Sequence, residues 1–168
     1  MKYYIIIPSY NEEKFISLTL QSLLHQTILP AKIVVVNDSS TDTTAEIVQE
    51  FAQNNSIISL VNKTSQAIHL PGSKVIQAFQ AGLETLDENY DFIVKADADL
   101  IFPTNYFETI IHHFNSNERI GMVGGFAYIE KNGEFILENL TDKDHIRGAF
   151  KTYRKETFMQ IGGLKSAM

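Results

Sequence analysis

The chain has 168 residues, 44% of them apolar, with a net charge of −6 and no cysteine. That length suits one domain with a real core and does not call for two. The charge disfavours a dedicated nucleic-acid binder, the absence of cysteine excludes disulfide frameworks and thiolate metal sites, and no apolar stretch approaches the ~20 residues that span a bilayer.

Residues 3–7 form a continuously apolar, largely β-branched run, the pattern of a strand buried on both faces. Pro8-Ser9-Tyr10-Asn11 breaks it, with no signal peptide visible, so a cytosolic location is expected. Glu12-Glu13 supply the acidic first turn of a helix that runs to about Gln26, with Ile16, Leu20, Leu23 and Leu24 on one face. After Pro30, Ile33-Val34-Val35-Val36 is a second buried strand, and it runs into the polar cluster Asn37-Asp38-Ser39-Ser40-Thr41-Asp42. A second helix buries Ile47, Val48, Phe51 and Ala52. Residues 57–61 read as a third strand and 62–71 as a loop. Gly72-Ser73 opens a third helix with Ile76, Phe79, Leu83 and Leu86 at helical spacing. Residues 90–96 are the fourth strand. Pro103 marks the first turn of a helix whose core face is Phe107, Ile110, Ile111 and Phe114.

Strict alternation of strand and helix predicts an α/β fold: a mostly parallel central sheet, Rossmann-like, with right-handed crossovers and helices on both faces. Ligands bind such sheets beyond the carboxyl ends of the strands. The polar clusters at 9–13, 38–42 and 97–99 all follow strands and are expected to line one rim. After Gly121 the pattern changes. Residues 122–129 are strand-like, and Asn132-Gly133 between 127–130 and 134–138 signals a β-hairpin in the C-terminal part. A polar loop, 141–145, leads to Arg147-Gly148-Ala149-Phe150, and residues 154–161 read as a helix that stops at Gly162-Gly163.

The stretch Phe92-Ile93-Val94-Lys95-Ala96-Asp97-Ala98-Asp99 ends an apolar run in two carboxylates with one small residue between them. On a strand they share a face, and at about 4 Å they repel by roughly 4 kcal/mol at an effective dielectric near 20. A positive partner or a shared proton is required. A hard divalent cation bound with a phosphate-bearing ligand meets that requirement. No G-x-x-x-x-G-K-[ST] occurs and no G-x-G-x-x-G follows the first strand, which excludes a P-loop protein and disfavours a dinucleotide enzyme. The glycine-rich loop of a nucleotidyltransferase and the acidic pattern of a phospho-receiver are absent as well.

Four segments together resemble glycosyltransferase family 2, the inverting enzymes with an A-type nucleotide-sugar-binding fold. They are Pro8-Ser9-Tyr10-Asn11-Glu12-Glu13, Ser22-Leu23-Leu24-His25-Gln26-Thr27, Asn37-Asp38-Ser39-Ser40-Thr41-Asp42 and Asp97-Ala98-Asp99. The resemblance implies one domain over 1–168. Residues 1–120 would be the nucleotide-binding half, and 121–168 the start of an acceptor-binding half, incomplete at the C-terminus. It further implies transfer of a sugar from a UDP- or GDP-sugar to a hydroxyl of a glycan or lipid-linked acceptor, in polysaccharide or cell-surface glycan synthesis. Peripheral association of the full-length protein with the inner membrane face would fit. Pro8, Tyr10 and Glu12 would border the nucleoside, and Asp38 would bond the base, an acceptor-only carboxylate suiting an imide N–H. Asp97 would contact ribose or metal-bound water, and Asp99 would ligate Mg²⁺ or Mn²⁺ bridging the diphosphate. Lys74 would approach the phosphates or the base. Asp38 and Asp42 also stand where a side chain caps the following helix; capping is the expectation for Asp42 and binding for Asp38.

The catalytic base of the family usually follows a Gly-Gly turn. Gly162-Gly163-Leu164 matches that turn, and the resemblance places the base beyond Met168. Glu138, Asp142 and Asp144 read as loop acids, and a catalytically inactive nucleotide-sugar-binding module is the alternative function. Arg147, Lys151 and Arg154 are candidates to meet an anionic acceptor or diphosphate. Asn37 and Ser39 replace the family's Asp and Gly, Gln80 its Asn, and Lys95 an apolar residue; Lys95 reads as an acid's partner, a diphosphate contact or a sheet-edge lysine. His112 and His113 lie on adjacent faces of one helix and do not suit a shared metal.

Overall fold

The computed structural model describes residues 1–64, 73–138 and 145–165. The alternation holds through eight elements: β1 (Tyr3–Ser9), α1 (Ile16–Leu24), β2 (Lys32–Asp38), α2 (Thr44–Asn54), β3 (Ile58–Lys63), α3 (Ser73–Leu83), β4 (Phe92–Ala96) and α4 (Tyr106–Ser116). Then come β5 (Met122–Val123), the hairpin strands β6 (Tyr128–Lys131) and β7 (Glu134–Leu137), β8 (Phe150–Arg154) and α5 (Lys155–Gln160). The main sheet has the order β3-β2-β1-β4-β8-β5. Strands β1 to β4 run parallel, and β8 is antiparallel to both of its neighbours.

Period-two alternation sorts each buried strand between two cores. Ile5, Ile7, Ile33, Val35, Phe92 and Val94 face α1, α2 and α4, packing on Ile16, Leu20, Val48, Phe107 and Phe114. Tyr4, Ile6, Val34, Val36 and Ile93 face the other way, onto Ala78 and Phe79 of α3 and Phe158 of α5. Both faces are therefore covered by helices, as the continuous apolar runs imply. Helix α3 sits so close to the sheet that a Cβ on Gly82 would fall 2.7 Å from Ile6 Cγ2 and 2.9 Å from Val36 Cγ2. Those methyl groups belong to fully buried, stiff β-branched residues, so Gly82→Ala is expected to cost about 1–3 kcal/mol despite the better helix propensity of alanine. An unchanged chemical-denaturation midpoint would refute that packing.

Four details differ from the sequence reading. Helix α1 begins at Ile16 rather than at Glu12, because the Glu12 and Glu13 N–H groups and the Glu13 carboxylate bond the β2–α2 loop instead. Strand β3 extends to Lys63, into what reads as loop. The run 122–129 splits between β5 and β6, with 124–127 in neither. Strand β8, whose residues 150–153 the sequence reading assigns to no element and whose Arg154 it places in a helix, enters the sheet between β4 and β5. The hairpin is present, and Asn132 and Gly133 take the left-handed angles (φ 56° and 81°) that its two-residue turn demands.

Arg154 is also relocated. It pairs in register with Phe92, at the amino end of β4 and away from the rim where the polar clusters gather. Its guanidinium donates to Phe114 O (2.9 Å) and Ile120 O (3.0 Å) and lies over the Phe92 and Phe114 rings. It closes the carboxyl end of α4 and is corrected from the anion-contact candidates.

Candidate functional site

The first two polar clusters are stitched into one surface. Asn11, at φ 55°, accepts from Thr41 N–H through Oδ1 (2.8 Å), while its own N–H donates to Ser40 Oγ (3.0 Å). Glu12 N–H donates to Thr44 Oγ1 (2.8 Å), and Glu13 Oε2 accepts from the Thr43 N–H and hydroxyl. Asp42 accepts from Thr44 N–H and Oγ1 through one oxygen and from Glu13 N–H through the other. Burial alone would raise the Asp42 carboxyl; these hydrogen bonds outweigh it and hold the group below the usual carboxylate range. Asp42 thus caps the start of α2 and clamps the two loops together.

A second network fixes the Asp97–Asp99 segment. Thr19 Oγ1 donates to Ala98 O (2.7 Å), Ser22 Oγ accepts from Phe102 N–H (3.1 Å), and Thr27 N–H donates to Thr104 O (2.8 Å). Buried Gln26 donates through Nε2 to Pro103 O (2.8 Å) and accepts through Oε1 from Phe107 N–H (3.2 Å). The Ser-x-x-x-Gln-Thr segment is therefore a brace between α1 and the β4–α4 connection. On the far side, Asp97 N–H donates to Ala149 O (2.8 Å), which ties the same turn to the entry of β8.

The side chains on this rim are mostly carboxylates. Glu12 has its carboxyl raised, first by burial and then by the negative charges of Asp99, Asp97 and Asp42. The first and third clusters thus share one electrostatic neighbourhood, as a common rim requires. Folding raises the Glu12 carboxyl, so its ionised form opposes folding at neutral pH and ceases to do so once acid protonates it in both states. Glu12→Gln is expected to raise the melting temperature by about 1–2 °C at pH 7, allowing for solvent screening, with the gain disappearing below the ordinary glutamate range. Thermal melts from pH 7 to pH 4 check both sign and window.

Lys95 supplies the positive partner that the Asp pair calls for. It is buried on the α3 side of the sheet, in register with Ile6, and its Nζ bonds Asp97 Oδ1. It is an interior lysine, which corrects the sheet-edge reading. Asp99 is exposed. Among the described residues no group of three His, Asp or Glu side chains forms a metal cage, and His112 and His113 are exposed.

Asp38 closes β2 and is buried, with Lys63 Nζ at 3.5 Å from its Oδ1, and that oxygen accepts no hydrogen bond from the described residues. Lys63, at the end of β3, does not stand out in the sequence; the signal was a basic residue ending the strand beside the one that carries Asp38. Asn37 Nδ2 donates to Asn62 Oδ1 (2.9 Å), and Asn37 Oδ1 accepts from Ser40 N–H, so Asn37 is held within the loop framework. Ser39 adopts φ 64°, which explains the glycine preference there, and its hydroxyl donates to Lys63 O. Pro8 and Tyr10 flank this surface at the end of β1, Pro8 half-buried and Tyr10 exposed, and Lys74 is half-buried in the first turn of α3.

The acceptor-side candidates separate. Arg147 bonds Glu138, so each is already committed to the other. Lys151 lies in register with Lys95, near the carboxyl rim. Gly162 and Gly163 (φ 74° and 76°) end α5, with N–H groups donating to Met159 O and Phe158 O. Asp142 and Asp144 fall outside the described residues.

Comparison with known proteins agrees with this fold. The family profile "Glycosyl transferase family 2" matches residues 4–165. "Glycosyltransferase GlyA" of Streptococcus pneumoniae is 27% identical over 94% of the chain, which spans 25% of that protein. Among solved structures, Staphylococcus aureus TarS 1–349 in complex with UDP-GlcNAc superposes with a TM-score of 0.68 at 20% identity, covering 96% of this chain and 48% of that one. The mannosyltransferase PcManGT of Pyrobaculum calidifontis, in complex with GDP-Man and Mn²⁺, gives 0.70 at 19% identity, covering 98% and 47%. These two likenesses show the fold, and the chain spans about half of each structure. With the profile match covering nearly every residue from β1 to the Gly-Gly turn, this chain belongs to glycosyl transferase family 2.

Proposed function

We propose that the chain binds a nucleoside-diphosphate sugar at the carboxyl rim of its sheet and takes part in transferring the sugar, with inversion, to a hydroxyl of a glycan or lipid-linked acceptor. The observation that carries this reading is the meeting of three strand ends at one rim, which brings Glu12 into the field of Asp97 and Asp99 and leaves a buried Asp38 oxygen without a hydrogen bond from the described residues. UDP-GlcNAc and GDP-Man in the two structural neighbours support a UDP- or GDP-linked donor.

The donor set suits Mg²⁺ or Mn²⁺. Such ions are held through one or two carboxylates plus phosphate oxygens and water, so two aspartates on an open rim suffice and a full protein cage is not needed. Asp99 would hold the ion and Asp97 would face the ribose or an ion-bound water; that PcManGT is in complex with GDP-Man and Mn²⁺ supports a divalent cofactor. When bound, the ion acts as a Lewis acid for the charge that develops on the departing diphosphate. The chain's own part is positional. The α1 brace fixes the Asp97–Asp99 turn, Lys95 sets Asp97, and the stitched β1 and β2 loops, with Pro8, Tyr10 and Glu12, form the wall against the nucleoside. Lys74 stands where α3 could offer a cation to the phosphates or base. An attacking hydroxyl needs a proton acceptor within hydrogen-bond reach. Glu138 is held by Arg147, and we assign that role to no described residue.

Calorimetric titration with UDP and with GDP in Mn²⁺ tests the binding. Saturable binding that Asp99→Ala weakens on the order of 100-fold supports the assignment, given the several kcal/mol a bound cation contributes. No binding to the unaltered chain would remove it. A donor-hydrolysis and transfer assay then separates an enzyme from a silent nucleotide-sugar-binding module, which would bind and not turn over. No helix among the described residues is long and apolar enough to cross a membrane. Cytoplasmic placement at a membrane face belongs to the proposal.

A further inference from the structure

We infer that Lys151 is a specificity-determining residue of the transfer site, favouring a reacting sugar that carries an oxyanion, a carboxylate or a phosphate, beyond the diphosphate itself. The inference rests on the nucleoside-diphosphate reading above and adds the charge class of the sugar that meets the rim at β8.

Lys151 and Lys95 are directly opposed partners on the antiparallel strands β8 and β4. Such partners project from one face of the sheet, with Cβ atoms about 5 Å apart. That face is the one covered by α3 and α5, because Tyr153 and Ile93, the opposed pair two residues away, both lie in that core. Like charges placed opposite each other destabilise a strand pair unless countercharge is at hand. Lys95 has it, since its buried ammonium bonds Asp97. Lys151 is half-buried, and among the described residues no carboxylate pairs with it. The other cations of the segment are committed, Arg147 to Glu138 and Arg154 to the carbonyls of Phe114 and Ile120. Lys151 thus stands beside an opposed ammonium, and an incoming oxyanion offsets that repulsion.

Its place along the rim decides which part of a ligand it meets. The sheet order β2-β1-β4-β8 sets out Asp38, then Glu12, then Asp97 and Asp99, then Lys151. The stitched β1 and β2 loops are the proposed nucleoside wall, and the Asp pair is the proposed seat of the cation and diphosphate. In the same direction, the next part of a nucleoside-diphosphate sugar is the sugar, followed by the hydroxyl that attacks it. Phe150 pairs with Ala96 at the end of β4, and Ala149 O accepts from Asp97 N–H, so the entry of β8 is bonded to the turn that bears the Asp pair. The flexible four-carbon stem of Lys151 starts two residues from that junction. The carboxylates along the rest of the rim repel an anion, which leaves Lys151 as the position that accepts one. A charge-assisted contact to carboxylate or phosphate oxygens is stronger than a neutral one, which sets the expected preference at about 10-fold.

Calorimetry in Mn²⁺ reads two arms, which separate a donor-borne from an acceptor-borne oxyanion. In the first, UDP-glucuronate is compared with UDP-glucose. In the second, the chain saturated with UDP is titrated with glucuronate and glucose 6-phosphate against glucose. In at least one arm the anionic member is expected to bind about 10-fold more tightly than its neutral counterpart. Lys151→Met is expected to abolish that preference and Lys151→Arg to keep it, in variants whose melting curves confirm folding. No preference for the anionic member in either arm would overturn the inference. So would an equal loss for UDP, UDP-glucose and UDP-glucuronate in Lys151→Met, which would make Lys151 a diphosphate contact. In both cases the nucleotide-binding reading stands as long as UDP binds and Asp99→Ala weakens it. Failure of UDP itself to bind removes both readings.

Discussion

Gln26→Leu is expected to destabilise the fold by about 1–3 kcal/mol, a fall of roughly 2–10 °C in melting temperature for a chain of this size. The replacement is close in volume, so packing is a minor part of the effect. What changes is hydrogen bonding. Gln26 is 5% exposed and satisfies both Pro103 O and the Phe107 N–H, the latter in the first turn of α4, where no intrahelical acceptor exists. Leucine would leave the buried Phe107 N–H without a partner, at about 1–3 kcal/mol, while Pro103 O keeps the Tyr106 N–H at 2.9 Å. Gln26→Glu should fall between, since its carboxylate can still accept from Phe107 but cannot donate to Pro103. The same brace holds the turn that carries Asp97 and Asp99. At a temperature where Gln26→Leu stays folded, its Mn²⁺-dependent affinity for UDP is therefore expected to drop while metal-free nucleotide binding changes less. An unaltered melting temperature would show that the two hydrogen bonds contribute nothing.

Lys95→Met is expected to act in the opposite direction on the metal. Among the described residues Asp97 is tied to Lys95, Asp99 has no cation bonded to it, and no third ligand joins them. The unaltered chain should therefore bind Mn²⁺ weakly by itself and tightly only together with a nucleoside diphosphate, whose oxygens complete the ion's shell. Removing the ammonium frees the second carboxylate and a positive charge disappears from its side. Mn²⁺ affinity in the absence of nucleotide should rise about 10-fold, in line with a loss of roughly 1–2 kcal/mol of repulsion near a protein surface. Methionine can fill the space on the apolar α3 face, so stability should change little. Electron paramagnetic resonance titration of free Mn²⁺, with and without UDP, reads this directly. Tight nucleotide-independent binding by the unaltered chain would contradict it.

How far the sequence carries differs between strands for a physical reason. Ile5, Val35 and Val94 sit in runs whose every residue is buried, so continuous hydrophobicity gave away β1, β2 and β4. The sequence also placed the hairpin turn, because Asn132-Gly133 meets a backbone requirement that few residue pairs satisfy. Strand β8 was hidden: Lys151 and Arg154 make Phe150-Lys151-Thr152-Tyr153-Arg154 look like surface, whereas the Arg154 guanidinium lies over two aromatic rings and caps a helix. At the site, Asp42 behaves as the capping rule predicts, and the shared rim of Glu12, Asp97 and Asp99 follows from strand polarity alone. Lys63 and the buried role of Gln26 were not visible, because both depend on which strand end or loop comes to lie alongside, and periodicity does not encode that.

The placement of β8 carries a consequence for how the molecule assembles. Strand β8, which follows every other described strand in sequence, lies inside the sheet, between β4 and β5. During synthesis, β4 must wait with an unpaired edge until residue 154 has left the ribosome, and the hairpin between them has to be carried past it. Closure over so long a stretch of chain is slow, and an open apolar edge invites association with other nascent chains. Polypeptides arrested shortly before residue 150 are therefore expected to aggregate or to recruit chaperones, while release of a few more residues lets the edge seal.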